Sequence, residues 1–193
     1  MGPPSSVVIS RPTFREIISG LPSHLRGEVI NGRLTVMPRP APRHANAAGA
    51  LQGQLGPAFQ RGLGGPGGWW ILAEPELTLG DPAFEPIDPD LVGWRIQTMP
   101  HLPDTAAVSL VPDWVCEILS PSTEVYDRAE KLPYYARAGI RHAWLVYPEG
   151  LTLEAFENDA GIYRPVGTWQ GHTRARVPPF DAIDLDLSWL WMK

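Results

Sequence analysis

The chain has 193 residues, of which 44% are hydrophobic and 19% are charged, values typical of a globular protein with a substantial core. A single cysteine excludes an internal disulfide framework and favours a reducing, cytoplasmic compartment. No run of the sequence approaches the roughly 18 apolar residues of a membrane span, so we expect no membrane partner. The length predicts a single domain over residues 1–193.

The net charge of −5 conceals an uneven distribution along the chain. Residues 1–70 contain seven Arg and two acids, a net charge of +5, whereas residues 71–193 contain nine basic and nineteen acidic residues, a net charge of −10. An acidic chain is a poor candidate for nucleic-acid binding. A basic N-terminal third beside an acidic site could still bind a polyanion if metal ions neutralise the acids. An unevenly charged surface without such a role is the alternative.

The N-terminal elements are predicted from turn and capping signals. Residues 13–19 indicate a short helix with Thr13 as its N-cap. Residues 28–37 predict a β-hairpin, because two β-prone runs flank an Asn-Gly pair. Residues 44–63 favour a helix, and residues 69–79 favour a strand that is interrupted at Pro75.

Short strands dominate the remainder of the predicted structure. A strand begins at Asp90, and a buried strand from Trp114 to Leu119 precedes a helix over about residues 127–138. In that helix, Asp127 followed three residues later by Glu130 resembles a capping box. The elements predicted after it are a buried strand at 143–147, a hairpin of 151–157 with 161–169, a strand at 174–177 and a helical turn at 187–191.

Three residues suggest a chemical site. Glu117 lies inside a run that otherwise indicates a buried strand, where an acid is costly unless it is paired or binds a metal. Lys131 and Lys193 are the two lysines of a chain that otherwise uses Arg, so Lys131 suggests a site that needs a compact ammonium. Asp90 lies on a different strand from Glu117, and neighbouring strands are about 4.8 Å apart, so the two carboxylates could bind one divalent cation. Two acids and a lysine suit metal-assisted phosphodiester hydrolysis.

These residues belong to a longer pattern. It consists of Glu28 ahead of Asn31-Gly32, His44, Pro89-Asp90, the run Glu117-Ile118-Leu119-Ser120-Pro121-Ser122-Thr123, then Asp127, Lys131, Tyr135, Gly139 and Trp144-Leu145-Val146. The pattern resembles the Uma-type family of putative restriction endonucleases within the PD-(D/E)XK superfamily. The resemblance covers most of the chain, from about residue 13 to the final tryptophans. It implies an α/β, restriction-endonuclease-like fold with a mixed sheet flanked by helices, to which we add C-terminal β-hairpins.

The resemblance also implies roles for individual residues. Asp90 and Glu117 would be the metal ligands, with Mg²⁺ as the ion and Mn²⁺ as a substitute. Lys131 would be the catalytic lysine, displaced onto the following helix because Leu119 occupies the usual Lys position of the E-x-K motif. Glu28 would be an outer acid of the catalytic group. The implied activity is that of an endonuclease acting on DNA, and a homodimer is expected by analogy with nucleases of this fold.

Simpler interpretations stay open for each residue. Glu117 could pair with an Arg, Asp90 could cap the turn after Pro89, and Lys131 could pair with Asp127 at i, i+4. Two other functions also stay open. The missing E-x-K lysine and the acidic charge favour a catalytically inactive interaction module of the same fold. The acidic surface would also suit a hydrolase of small phosphoesters.

Overall fold

The computed structural model of the protein describes residues 13–80 and 86–191. The strands in these two stretches are β1 (Leu25–Ile30), β2 (Arg33–Pro38), β3 (Trp69–Ala73), β4 (Glu76–Leu77), β5 (Leu91–Arg95), β6 (Ala107–Val108), β7 (Trp114–Ile118), β8 (His142–Tyr147), β9 (Thr152–Asp159), β10 (Ile162–Gln170), β11 (Arg174–Ala175) and β12 (Leu185–Asp186).

Six of these strands form a mixed central sheet in the spatial order β10-β9-β8-β7-β5-β3. Strands β7 and β8 run parallel, and every other neighbouring pair in this sheet is antiparallel. A parallel pair needs a crossover connection, which the helical segment between β7 and β8 supplies. The predicted C-terminal hairpin, β9 with β10, therefore extends the central sheet. The other pairs are β1 with β2, β4 with β6, and β11 with β12.

Helices flank this sheet. They are α1 (Phe14–Ser19), α2 (Pro42–Leu55), α3 (Glu124–Tyr126), α4 (Leu132–Arg137) and a final 3-10 turn (Leu187–Trp191). A wide π-helical turn at Gly56–Gln60 extends α2, and a second one at Asp127–Lys131 joins α3 to α4. Residues 124–137 therefore form one continuous helical segment, named the 124–137 helix below.

Local signals predicted several elements correctly. The Asn31–Gly32 hairpin is confirmed, with φ of 51° and 73° at its two turn residues. The N-terminal helix is confirmed as well, because Thr13 caps α1 and forms a capping box with Glu16. The strand predicted at 69–79 is interrupted as expected, with Glu74 at a φ of 47° between β3 and β4.

Several boundaries differ from the predictions by a few residues, and three of the differences have a local cause. Helix α2 starts at Pro42 rather than at residue 44, since Pro is well suited to the first turn of a helix. The hairpin predicted around residues 158–159 turns at Ala160–Gly161, where both φ angles are positive. The capping box predicted at Asp127 is wrong, because the helical segment already begins at Glu124 and Asp127 lies buried inside it.

The two faces of the central sheet carry different layers. Helix α2 covers one face, where Ala47, Leu51 and Leu55 join a cluster that includes Cys116 and Trp144. The 124–137 helix covers the opposite face, with Tyr134 and Tyr135 packed in a cluster that includes Val92, Val115 and Ala143. Since side chains alternate along a strand, the Val115 face of β7 is also the face of Glu117. The acid therefore lies beneath the 124–137 helix.

Candidate active site

Lys131 is the centre of a buried polar cluster. Its side chain has no solvent exposure, and its Nζ lies 2.8 Å from Oε1 of Glu117. Glu28 of β1 approaches the same ammonium with both carboxylate oxygens at 3.3 Å, one of them accepting a hydrogen bond. Asp127 completes the group, with its Oδ1 at 3.9 Å from Nζ. Three carboxylates therefore surround one ammonium.

The 124–137 helix aims three polar side chains at this cluster. Asp127, Lys131 and Tyr135 follow each other at i, i+4 spacing and are all buried, so they share one face of the helix. The wide turn closes with a bond from the Leu132 N–H to the Asp127 carbonyl, directly ahead of Pro133. Proline has no N–H to donate into a regular helix, and a π turn is one way to accommodate the missing bond. The Tyr135 hydroxyl donates to Glu117 Oε1 at 2.5 Å.

Strand pairing sets Asp90 opposite Glu117. Leu91 pairs with Cys116 in the β5–β7 ladder, so one residue further along the same register brings Asp90 to the position facing Glu117. The backbone N–H of Ile118 donates to Asp90 Oδ2 at 2.7 Å. This bond fixes the Asp90 carboxylate against the end of β7.

One oxygen of Asp90 is satisfied and the other is not. His44, at the start of α2, places its Nε2 3.1 Å from Asp90 Oδ2. Asp90 Oδ1 is buried and has no hydrogen-bond partner in the described part of the chain. Arg26 of β1 lies near it, with Nη1 at 4.0 Å from Oδ1. Buried polar atoms without partners are rare in folded proteins, which suggests that Oδ1 has a ligand of another kind.

Burial and charge shift the ionisation of this cluster. Burial raises the pKa of Glu117 well above its usual value, although the Lys131 ammonium opposes the rise. Burial also raises the pKa of Asp127, to about 6, again against the effect of Lys131. For Lys131, burial lowers the pKa, but attraction to Glu117, Glu28 and Asp127 outweighs burial and leaves the pKa raised. The ammonium therefore stays charged while the acids around it compete for protons.

Asp90 behaves differently from Glu117. Burial raises its pKa, but the hydrogen bond and charge of His44, with further support from Lys131 and the Ile118 N–H, outweigh burial and leave the pKa lowered. The arrangement therefore favours the ionised form of Asp90, whereas the charge of Glu117 depends on the groups around it.

The comparisons with known proteins agree with this fold. The model of the Uma2 family, described as "Putative restriction endonuclease", matches residues 12–188 of the chain. The chain belongs to the Uma2 family. Among solved structures, it is similar to the crystal structure of "a putative nuclease belonging to DUF820" from Anabaena variabilis, with 18% sequence identity and a TM-score of 0.68. The alignment covers 94% of this chain and 98% of that one, and at this identity it shows a shared fold. No curated protein matches the sequence.

The family and the fold predicted from the sequence are thus confirmed for this Uma2 family member. In the described ranges, no helix is both long and apolar enough to cross a membrane.

The carboxylates at 90 and 117 fit a hard divalent cation. Carboxylate oxygens are the ligands that Mg²⁺ prefers, and the unpartnered Oδ1 of Asp90 offers one. Within residues 13–80 and 86–191, no group of three or more His, Cys, Asp or Glu residues is arranged to hold a metal. Mg²⁺ commonly binds through one or two carboxylates, together with water and substrate phosphates. Two carboxylates would therefore suit Mg²⁺ better than an ion that requires a complete set of protein ligands.

Each residue singled out from the sequence lies in or beside this cluster. Lys131 contacts Glu117 and Glu28. Asp90 directly precedes β5, which begins at Leu91 and not at Asp90 as predicted, and lies opposite Glu117 when the β5–β7 register is extended by one residue. Sequence reasoning gave no role at the site to Arg26 or Tyr135, and it considered Asp127 only as an i, i+4 partner of Lys131, a contact that the structure has at 3.9 Å. For Asp127 and Tyr135 a signal existed, since polar residues recur every four positions around Lys131 on a helix that must bury one face. Arg26 carried no such signal.

Proposed function

We propose that this Uma2 family member is a nuclease that hydrolyses phosphodiester bonds in DNA. Mg²⁺, or Mn²⁺ in its place, would bind to Asp90 and Glu117, with Lys131 and Glu28 supporting them. One observation carries the proposal: a fully buried ammonium lies 2.8 Å from a strand carboxylate that faces a second carboxylate with an unpartnered oxygen. This combination of charges is what a metal-assisted phosphodiesterase requires.

The bound ion would polarise the scissile phosphate and activate water for attack. The chain's own residues prepare the two carboxylates. Lys131 and Tyr135 both approach Glu117 Oε1, so they favour the ionised carboxylate and fix its orientation. His44 holds Asp90 Oδ2 in the same manner and leaves Oδ1 for the ion. Because Lys131 is completely buried, we assign it a positioning role that acts through Glu117.

A plasmid-nicking assay tests the proposal. The wild type is incubated with supercoiled plasmid and Mg²⁺, Mn²⁺ or EDTA, beside Asp90→Asn, Glu117→Gln and Lys131→Met variants. Glu154→Gln is the matched control, because Glu154 pairs with Arg128 outside the cluster. We expect metal-dependent cleavage by the wild type and the control, and a loss of about 100-fold or more in the Asp90 and Glu117 variants. Circular dichroism establishes that every variant tested is folded.

Two results would contradict the nuclease assignment. One is a folded wild type that cleaves no DNA with either metal. The other is cleavage that persists unchanged in both the Asp90 and the Glu117 variants, which would point to a contaminating nuclease.

One observation favours a non-catalytic interaction module as a second candidate. Lys131 and Glu28 are fully buried, so their charges could serve only to stabilise the fold. Titration with Mn²⁺ followed by calorimetry separates the two, because a structural cluster would not bind the ion. Hydrolysis of bis-p-nitrophenyl phosphate without cleavage of DNA would instead indicate a small-phosphoester hydrolase.

A further inference from the structure

A cavity of about 300 Å³ lies beside the candidate active site. The end of β2, the start of α2, the turn between β7 and α3 and the end of β8 contribute its walls. Its polar lining consists mainly of Arg26, Arg39, Arg43, His44, Ser122 and Thr123. Glu149 also lines it, 3.9 Å from Arg43, and Arg39 donates a hydrogen bond to the Ser23 carbonyl, so the lining carries three guanidinium groups and one carboxylate. The cavity is therefore suited to an anion.

An unpartnered donor supports this interpretation. Arg26 Nε is buried and has no hydrogen-bond partner within the described ranges. A buried donor without a partner is unfavourable, so an arginine in this state suggests an absent acceptor. The side chain is 13% exposed, which is consistent with access from the cavity that it lines.

The N-terminus of α2 also contributes positive potential to the cavity. The N-cap, Ala41, offers no side-chain hydrogen bond, and the first turn of this 14-residue helix contains no acid. The partial positive charge of a helix N-terminus attracts anions, and phosphate groups commonly bind there. Ala41 lines the cavity, so the helix end and the three arginines act on the same space.

Two residues connect the cavity with the candidate metal site. His44 and Arg26 both line the cavity, and both lie close to Asp90, at 3.1 Å and 4.0 Å respectively. A group in the cavity would therefore be a near neighbour of a phosphate held by a metal ion at Asp90. Four prolines also line the cavity, Pro38, Pro40, Pro121 and Pro148, so its walls are stiff and formed before a ligand arrives.

We propose that this cavity binds a phosphate of the substrate strand that flanks the bond to be cut, an assignment that rests on the proposed nuclease function. The cavity is at the lower end of the volumes typical of ligand pockets, about 300–1,000 Å³, so it suits a phosphate with its sugar and not a base pair. The guanidinium groups of Arg26, Arg39 and Arg43 supply the positive charge that neutralises the phosphate.

Oligonucleotide binding tests this assignment without requiring cleavage. Fluorescence anisotropy is measured in Ca²⁺ with a labelled single-stranded oligonucleotide of about 12 nucleotides, a length within the range of about 4–16 nucleotides that single-strand binding sites cover. Arg39→Gln and Arg43→Gln are compared with Arg164→Gln, which removes the same charge from an exposed residue of β10. Arg39 and Arg43 are exposed, so their replacement should not prevent folding.

The two cavity variants should each weaken binding by about tenfold and reduce the salt dependence of log K by about 0.7, the value for one lost phosphate contact on a single strand. The Arg164 variant should match the wild type in both. Short strands with and without a 5′-phosphate, and inorganic phosphate as a competitor, distinguish an internal phosphodiester from a terminal phosphate as the bound group.

The outcomes separate the cavity from the nuclease activity. Weaker binding in the cavity variants supports a nucleic-acid phosphate site in the cavity. If the wild type nevertheless cuts no plasmid, the nuclease proposal fails and the cavity remains a phosphate site without a role in cleavage. Unchanged affinity and salt dependence in both variants overturn the assignment, even if the plasmid is cut. A wild type that binds no oligonucleotide at all also overturns it.

Discussion

Replacing the buried lysine gives the strongest test of how the cluster is held together. In a Lys131→Met variant, Glu117 and Glu28 lose the ammonium that lies 2.8 Å and 3.3 Å from them. Removing one partner of a buried ion pair costs about 3–5 kcal/mol, because the remaining charge has neither solvent nor a counter-ion. Folded proteins are stable by only about 5–15 kcal/mol, so the variant should lose a large fraction of its free energy of unfolding.

The assay is urea unfolding followed by the fluorescence of the eight tryptophans. Arg128→Met is the matched control, because Arg128 is 34% exposed and pairs with Glu124 and Glu154 near the surface. An exposed pair contributes about 0.2–1 kcal/mol, so the control should remain close to the wild type.

The pH dependence of the stability of the Lys131→Met variant shows whether uncompensated buried carboxylates cause its loss of stability. Burial raises the pKa of Glu117, and without the opposing ammonium this pKa lies still further above the unfolded value of about 4.3. A group with a raised folded pKa loses its favourable contribution as the pH rises through that value. The loss of stability should therefore be larger at pH 8 than at pH 5.

A double variant completes the test. Adding Glu117→Gln to Lys131→Met removes one of the stranded charges, so the double variant should be more stable than the sum of the single changes by about 1–3 kcal/mol. Strict additivity, or a Lys131→Met variant within about 1 kcal/mol of the wild type at pH 8, would refute the reasoning.

Three further changes probe the same region. Tyr135→Phe removes the hydroxyl that donates to Glu117 and should lower the free energy of unfolding, measured in urea, by about 1–3 kcal/mol. An unchanged free energy would mean that this hydrogen bond contributes nothing to stability. Burial raises the pKa of Asp88 to about 6. Asp88→Asn should therefore stabilise the protein by about 1–2 kcal/mol above pH 6 and leave its stability unchanged below about pH 4. A gain in stability that does not depend on pH would exclude the ionisation of Asp88 as its cause. Binding of Mg²⁺ should release protons and tighten as the pH rises, because burial raises the pKa of Glu117 and the ion needs the ionised carboxylate. Calorimetry in buffers of different ionisation enthalpy measures the proton release, and finding none would contradict the prediction.

Local sequence signals were sufficient where one short stretch determines the conformation. The Asn31-Gly32 pair specifies a hairpin because both residues tolerate positive φ, and the structure has that hairpin. The start of the 124–137 helix was predicted wrongly, since Asp127 resembled a cap. The hydroxyls of Ser120 and Thr123 instead interact with each other at 3.0 Å in the preceding turn, and the N–H of Glu124 bonds to the Ser120 carbonyl.

The cluster itself was predicted only in part. A lysine in an arginine-rich chain and an acid in a buried strand marked Lys131 and Glu117, but their separation depends on how the helix lies on the sheet. Arg26 could not be predicted, because its burial depends on the β1–β2 hairpin packing near Asp90 on a distant stretch of the chain. Pairing of this kind is a tertiary property that neither periodicity nor composition encodes.

Two unsatisfied atoms of opposite character lie close together at this site. Asp90 Oδ1 is a buried acceptor without a donor, and Arg26 Nε is a buried donor without an acceptor. They do not satisfy each other, since the nearest nitrogen of Arg26 to Oδ1 is Nη1 at 4.0 Å. A cation at Asp90 and a phosphate at Arg26 would satisfy both atoms, and each would offset the charge of the other. A lone cation or a lone anion would satisfy only one of them, so the arrangement favours a ligand that brings a metal ion and a phosphate together, as a nucleic-acid strand with its counter-ion does.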